Sequence, residues 1–297
     1  MSSDNTQRKL ITFLVLTIGM SSAFWFFIIS AGTIKGQLIL GLMWCPGVAA
    51  LITQLLFQRN LRGLGWGWGR SKYQWWSYSI PFLYTLVAYS TVWISGYGGF
   101  YNHQFVTEAA AALGRPVTDA QSSYLFIAFL TLLSGTLGMT TGCIYALGEE
   151  IGWRGMLVPL LAKKLSFSKT ALVSGAIWAA WHLPIIIFAD YNGGTPLWYG
   201  ISCFTVMIVG MSIAMAWLRI KSGSLWTAML FHASHNKFVQ VVFTPLTVDT
   251  GNTKYFIDEF GIALAIVCAV VGFIFWRKRL QLEGLSKAGA ASLPNTS

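Results

Sequence analysis

The stretch Gly148-Glu149-Glu150-Ile151-Gly152-Trp153-Arg154-Gly155 sets two adjacent carboxylates and a guanidinium into a run that is otherwise apolar on both sides. A charged side chain at the centre of a bilayer costs about 2.5–3.5 kcal/mol on insertion scales, so three of them this close together need partners and point to function. On a helix, Glu150 and Arg154 are i,i+4 neighbours in the favourable acid-first order. Glu149 falls about 100° round, on the face of Tyr145 and Trp153. Glu150 therefore has a local counter-ion and Glu149 has none. A carboxylate without a counter-ion in a dry site suits the work of a general base.

Outward from that stretch, composition identifies the solvent. The 297 residues are 55% hydrophobic and only 10% charged, and they include 20 Phe, 14 Trp and 11 Tyr, a balance far from that of a soluble domain. The net charge of +10 would suit a nucleic-acid binder, but the placement of the charges assigns it to membrane topology instead. Cys45, Cys143, Cys203 and Cys268 all lie in apolar runs without a Cys-x-x-Cys pair and read as small buried hydrophobes, with Cys143 the one weighed as a nucleophile.

The pattern predicts an all-α polytopic membrane helix bundle of about eight transmembrane helices, over 10–31, 36–57, 75–95, 121–162, 170–189, 197–218, 223–244 and 256–276. Residues 1–9 form a cytoplasmic N-terminus, and 10–119 hold the first three helices with their loops, including a polar loop over 96–120. Residues 120–245 form a core of the next four helices, 246–282 an outer loop and the last helix, and 283–297 a small, polar, disordered cytoplasmic tail. The first helix lacks a signal-peptide cleavage site and reads as an anchor. With both termini cytoplasmic in a cell membrane, 16 of the 20 Lys and Arg fall in inner segments and only Lys35, Arg115 and Lys254 in outer loops, as the positive-inside rule requires. Trp75, Trp76, Trp217, Trp226 and Trp276 fall at the expected inner boundary.

Residues 121–162 are too many for one straight crossing at 1.5 Å per residue. A bend near Gly135, Gly138 or Gly142 absorbs the excess if the crossing ends at Lys163-Lys164. Glu150 then lies on the order of 20 Å from that flank. Two histidines reach a similar depth, His182 beyond Lys169 and His232 beyond Lys221. His182 follows Trp178 by four residues and precedes Pro184, whose missing N–H frees the Ala180 carbonyl. His232 and Asn236 share a helix face, with His235 partly alongside. Each of these alone is accounted for by interhelical hydrogen bonding; together, at matched depth, they read as one site. Lys237, about 140° round from His232, is expected to snorkel outward, away from that site.

Glu149-Glu150-x-x-x-Arg154, Trp178-x-x-x-His182 and His232-x-x-x-Asn236, in that order on three expected helices, resemble the three motifs of the CPBP family, the CAAX proteases and bacteriocin-processing (Abi) proteins. Trp178 stands where Phe is common in that family, a departure expected to alter packing more than chemistry. The resemblance covers roughly residues 120–245 and implies an intramembrane endopeptidase acting on a membrane-tethered peptide or protein, while the placement of the charges argues for no nucleic-acid partner. It implies that Glu149 activates a water with help from His182, that His232 and Asn236 hold the oxyanion, and that Glu150 and Arg154 orient them. Glu149, His182 and His232 also make a ligand set for Zn²⁺ in a metalloprotease, and a metal-free glutamate mechanism uses the same residues. A transporter or a catalytically inert scaffold would also carry ionisable groups at this depth. No inverted repeat supports the first, and a cleavage assay separates the second.

Overall fold

The computed structural model describes residues 3–32 and 36–282 and is helical almost throughout. The long helices are α1 (Ser3–Ala31), α2 (Gly36–Gln58) and α3 (Ser71–Ile94), followed by the strand β1 (Gly99–Phe100) and the short α4 (His103–Ala112). Next come α5 (Ala120–Gly135) and α6 (Leu137–Glu150), which runs into a π-helical segment Ile151–Leu157 and then α7 (Val158–Ala162). After these come α8 (Phe167–Phe188), α9 (Leu197–Ser222) and α10 (Trp226–Asn236), the last running into a second π-helical segment, Lys237–Phe243. The chain closes with α11 (Thr244–Leu246), the strand β2 (Thr247–Val248) and α12 (Ile262–Arg277). The two strands pair antiparallel, Gly99 with Val248 and Phe100 with Thr247.

The helical membrane bundle expected from the sequence is what the chain forms, although the count of spans is smaller by length and composition. Four described helices, in α1, α2, α8 and α9, are long and apolar enough to cross a bilayer, and the bent pair Ala120–Gly135 plus Leu137–Ala162 makes a fifth. The other three expected spans fall short for visible reasons. Helix α3 opens on Ser71, Lys72 and Gln74, α10 is 11 residues before its π segment, and α12 is 16 residues. Residues 256–261, expected inside the last span, precede α12 as a loop, and the loop expected over 96–120 contains α4. Lys35 and the expected tail over 283–297 lie outside the described residues.

The bend in the long fourth segment is real. It measures 42° and sits at Thr136, where φ −119° and ψ −90° leave the helical region. Gly135 and Gly138 flank it, and the Tyr78 hydroxyl donates to the Gly135 carbonyl (2.7 Å), which the break would otherwise leave bare. Asp119 opens α5 with a capping box, its carboxylate taking the Ser122 N–H (2.7 Å). Gly142 is no hinge: it lies inside α6.

Small residues let α2 and α6 touch backbone to backbone. A Cβ on Gly148 would stand 2.7 Å from the Met43 carbonyl oxygen, and one on Gly47 would stand 2.5 Å from that of Gly148. Between apolar helices in lipid, such close approach is a main source of association. It also fixes the backbone of Glu149, the next residue. Of the tryptophans expected at the inner boundary, Trp75 is 69% exposed, whereas Trp217 is 1% exposed and belongs to the core. Arg219, counted with the inner flanks, is likewise buried, and its Nε donates to the Arg154 carbonyl (3.0 Å) inside the first π segment. All four cysteines are free, and Cys45, Cys203 and Cys268 are buried.

Candidate active site

The two charged motifs share a structural device. Glu149 and Glu150 are the last α-helical residues before one π segment, and Asn236 is the last before the other. A π turn shifts the helical register of the residues beyond it and recurs at functional sites. Within the first segment Arg154 reaches back to Glu150, four residues before it: Nη1 donates to both carboxylate oxygens (3.0 and 3.1 Å), with both residues fully buried. Among the described residues Nε and Nη2 of Arg154 have no hydrogen-bond partner, and the guanidinium instead lies 4.1 Å from the Trp178 ring centroid.

Glu150 serves a second partner as well. Nδ1 of His232 donates to Glu150 Oε1 (3.0 Å), which fixes the orientation of the ring and leaves Nε2 for other contacts. On α8, Nδ1 of His182 donates to the Trp178 carbonyl (2.9 Å). A carbonyl only accepts, so Nδ1 carries the proton and a neutral His182 offers its lone pair at Nε2. Both imidazoles flank one indole, the Trp178 ring lying 6.1 Å from His182 and 5.3 Å from His232 between centroids.

Glu149, 1% exposed, has no cationic partner at hydrogen-bond distance among the described residues, as its position on the helix implied, yet it is not bare. Its Oε2 accepts from Trp178 Nε1 (2.6 Å) and from Trp153 Nε1 (3.2 Å). The expectation that Trp178 alters packing more than chemistry is therefore corrected. A phenyl ring at this position would fill the space but could not donate to the candidate base. The expectation failed because the contact joins α8 to α6 across 29 residues of sequence.

Glu149, His182, His232 and Asn236 line a single cavity of about 490 Å³. The Asn236 amide makes no hydrogen bond among the described residues and is half-buried at the cavity wall. Glu150 and Arg154 stand behind this wall and act through His232 and Trp178. Every site residue expected from the sequence is thus in or directly behind one cavity.

Three charged residues on the lining were not anticipated there, and His235, expected only partly alongside His232 and Asn236, joins them. Lys237 lines the cavity instead of leaving it, its stem lying along α6 at Gly142, which has no side chain to block it. Asp258, Glu259 and His235 line it too. The Tyr84 hydroxyl and His235 Nδ1 share a hydrogen bond (2.6 Å), His235 Nε2 stands 3.6 Å from Glu259 Oε1, and Glu259 accepts from Tyr191 (2.5 Å) and Gln240 (3.1 Å). Adjacent acids in a stretch read as a span were the available signal, the same one that singled out Glu149 and Glu150.

The Zn²⁺ ligand set does not fit this arrangement. Among the described residues no three His, Cys, Asp or Glu side chains are placed to hold a metal ion.

A bundle that sinks two carboxylates, two imidazoles and an amide around one cavity defines a class, an integral membrane protein with a buried polar centre. Residues 121–238 match the family model described as type II CAAX prenyl endopeptidase Rce1-like. The chain is 28% identical over 171 residues to CAAX prenyl protease 2 of Methanococcus maripaludis, a stretch making up 55% of this chain and 54% of that protein. The chain thus spans about half the length of the curated relative it matches. Both comparisons support a CPBP-family intramembrane protease, and the family model covers all three motifs.

Proposed function

We propose that the protein is an intramembrane endopeptidase that hydrolyses a peptide bond of a membrane-tethered peptide or protein. The similarity to a CAAX prenyl protease favours a lipid-modified substrate. The observation that carries this reading is that Glu149 faces the same cavity as His182, His232 and Asn236, with its carboxylate oriented by two indole N–H groups. Glu149 takes the proton of the attacking water, and the Nε2 lone pair of His182 orients that water. Asn236 and His232 polarise the scissile carbonyl and hold the developing oxyanion. For His232 to donate from Nε2 its ring must be the imidazolium, which Glu150 stabilises by accepting from Nδ1. Arg154 keeps Glu150 in place.

Cleavage of a tethered peptide by the purified protein in liposomes tests the reading. Glu149→Gln keeps size and most hydrogen bonding but cannot accept a proton, and it is expected to lose at least about 10²-fold in turnover with its fold intact. His232→Ala and Asn236→Ala are each expected to lose about 10²–10³-fold. Glu150→Gln differs, because it leaves Arg154 buried without its counter-ion, so the melting temperature falls along with activity. Near wild-type cleavage by Glu149→Gln would remove Glu149 from the role of base.

A further inference from the structure

Away from the active-site cavity, a second hollow of about 440 Å³ lies on α9 between α8 and α12, and no residue lines both. The neighbouring helices are set close against α9 on either side. A Cβ on Gly210 would stand 2.3 Å from the Cys268 carbonyl oxygen of α12, and one on Gly175 of α8 would stand 3.0 Å from Ser212 Cβ. The hollow opens to the outside of the bundle, since Leu172, Val206 and Phe273 on its lining are 50%, 46% and 56% exposed. That lining is aliphatic or aromatic except for Ser168 and Thr205, and the Trp276 N–H is spent on Ser168 Oγ (3.0 Å). Such a surface takes a hydrocarbon chain and offers little to a polar ligand. From Trp276 back to Ala269 it follows α12 for about 10 Å, at 1.5 Å per residue.

The Trp276–Ser168 bond joins α12 to α8 and closes one end of the hollow. Cations gather at that end. The Arg279 guanidinium lies 3.8 Å from the Trp276 ring centroid, and its Nη1 donates to the Trp276 carbonyl (2.9 Å). Lys169 follows Ser168 and Arg277 follows Trp276, both with exposed side chains. Acids are missing from the same segments: the sequence has none between Glu150 and Asp190 and none between Glu259 and Glu283. Among the described residues no Asp or Glu pairs with Lys169, Arg277 or Arg279. We infer that the hollow is a binding site for an anionic phospholipid. One acyl chain lies on α9 between α8 and α12, and Lys169, Arg277 and Arg279 hold the phosphate beyond the Trp276–Ser168 bond. Charge at one end only matches such a lipid, anionic at its head and hydrocarbon behind it, and basic pockets between spanning helices recognise anionic headgroups. The inference does not depend on the protease reading.

The test titrates the full-length protein in uncharged detergent with phosphatidylglycerol or with phosphatidylcholine of the same acyl chains. Native mass spectrometry counts the lipids bound and gives their affinity, and a melting curve without lipid checks each variant's fold. The wild type is expected to hold one phosphatidylglycerol about tenfold or more tightly than phosphatidylcholine, given roughly fivefold for each basic residue near an anionic headgroup. By the same scale Lys169→Gln/Arg279→Gln loses on the order of 25-fold toward phosphatidylglycerol. Lys169→Gln alone, a change at an exposed side chain, loses about fivefold and carries this arm if the pair does not fold. Ala269→Phe fills the hollow from an exposed position and leaves every charge in place, so it weakens both lipids. Arg59→Gln/Arg70→Gln removes two charges from the loop between α2 and α3, which does not line the hollow, and retains the preference. Equal affinity for the two lipids overturns the inference. So does a loss in Arg59→Gln/Arg70→Gln as large as in Lys169→Gln/Arg279→Gln, which would make the attraction one of overall surface charge. Undiminished binding by Ala269→Phe overturns it as well, and a dimer that Ala269→Phe breaks would give the hollow to a second copy of the chain instead.

Discussion

Trp178 touches four of the six site residues picked out from the sequence, all but Glu150 and Asn236. It donates to Glu149, stacks under Arg154, gives its carbonyl to His182 and presents its ring to His232. Trp178→Phe separates these duties, since the ring and backbone stay while the N–H goes. Hydrogen bonds to charged groups are worth about 1.5–3 kcal/mol, and about 1.4 kcal/mol is tenfold in rate. We therefore expect Trp178→Phe to lose roughly tenfold or more in kcat/KM while the melting temperature moves by only a few degrees. Unchanged kcat/KM would mean that Trp153 alone holds the carboxylate. Local spacing made the Glu150–Arg154 pair legible in the sequence, because i,i+4 geometry depends on one helix only. The Trp178–Glu149 bond and the place of Lys237 on the cavity were not legible, because each needs two helices brought together, α8 with α6 for the first and the Gly142 face of α6 with the Lys237 stem for the second.

Between residues and the bundle stand the joints: two α-to-π transitions, the glycine contact of α2 with α6, and the loop that carries Asp258 and Glu259. The first three spans carry no motif, yet α2 supplies the surface on which Gly148 seats Glu149. The loop is a joint of a different kind. Asp258 has φ 61°, a conformation that Asp tolerates better than most side chains, and its Oδ1 accepts from the Glu259 N–H (2.8 Å). Burial, with the Glu259 charge beside it, pushes the Asp258 carboxyl from 3.8 up to about 7. Desolvation also opposes the charge of Glu259, but the His235 imidazole and the Tyr191 hydroxyl hold that carboxyl below its ordinary range. A carboxyl raised by folding stabilises the fold fully below its unfolded value, and that contribution is lost as pH rises through the folded one. The window for Asp258 thus runs from about pH 4 to 7 and slightly beyond, and Glu259 stays ionised across most of it. The melting temperature of the wild type is expected to fall between about pH 4 and 7, and Asp258→Asn should flatten that slope. An equal slope in both proteins would place the titrating group elsewhere. Reading residues 256–276 as one apolar span concealed this loop, because mean hydropathy averages two acids away against their neighbours.

At the scale of the whole molecule, loop contacts sort the helix ends into two sets. On one side Lys9 donates to Gln54 (2.5 Å) and Gln54 to the Arg62 carbonyl. There also the Leu225 N–H meets the Gly65 carbonyl (2.7 Å), Trp276 meets Ser168 (3.0 Å) and Lys221 meets the Gln281 carbonyl (3.0 Å). On the other side β1 pairs with β2, Asn102 N–H meets the Leu246 carbonyl (2.8 Å), Tyr191 meets Glu259 (2.5 Å) and Tyr199 meets the Tyr255 carbonyl (2.5 Å). We propose that these sets are the two membrane faces and that the chain alternates between them eight times. In that arrangement α3, α10 and α12 cross as parts of the bundle although none is long and apolar enough to do so alone. The basic residues on the first set make it the cytoplasmic face under the positive-inside rule. Reporter fusions ending at Trp66, Ala110 and Asn192 test both parts. Trp66 is expected inside, and Ala110 and Asn192 outside. If all three report the opposite side, the alternation stands and the orientation is reversed, which would set the charge rule against the contacts. If Trp66 and Asn192 report the same side, the chain does not alternate as proposed. The α3, α5–α7 and α8 segments would then cross the bilayer an even number of times in total, and the depth assigned to Glu149 would fall with the topology.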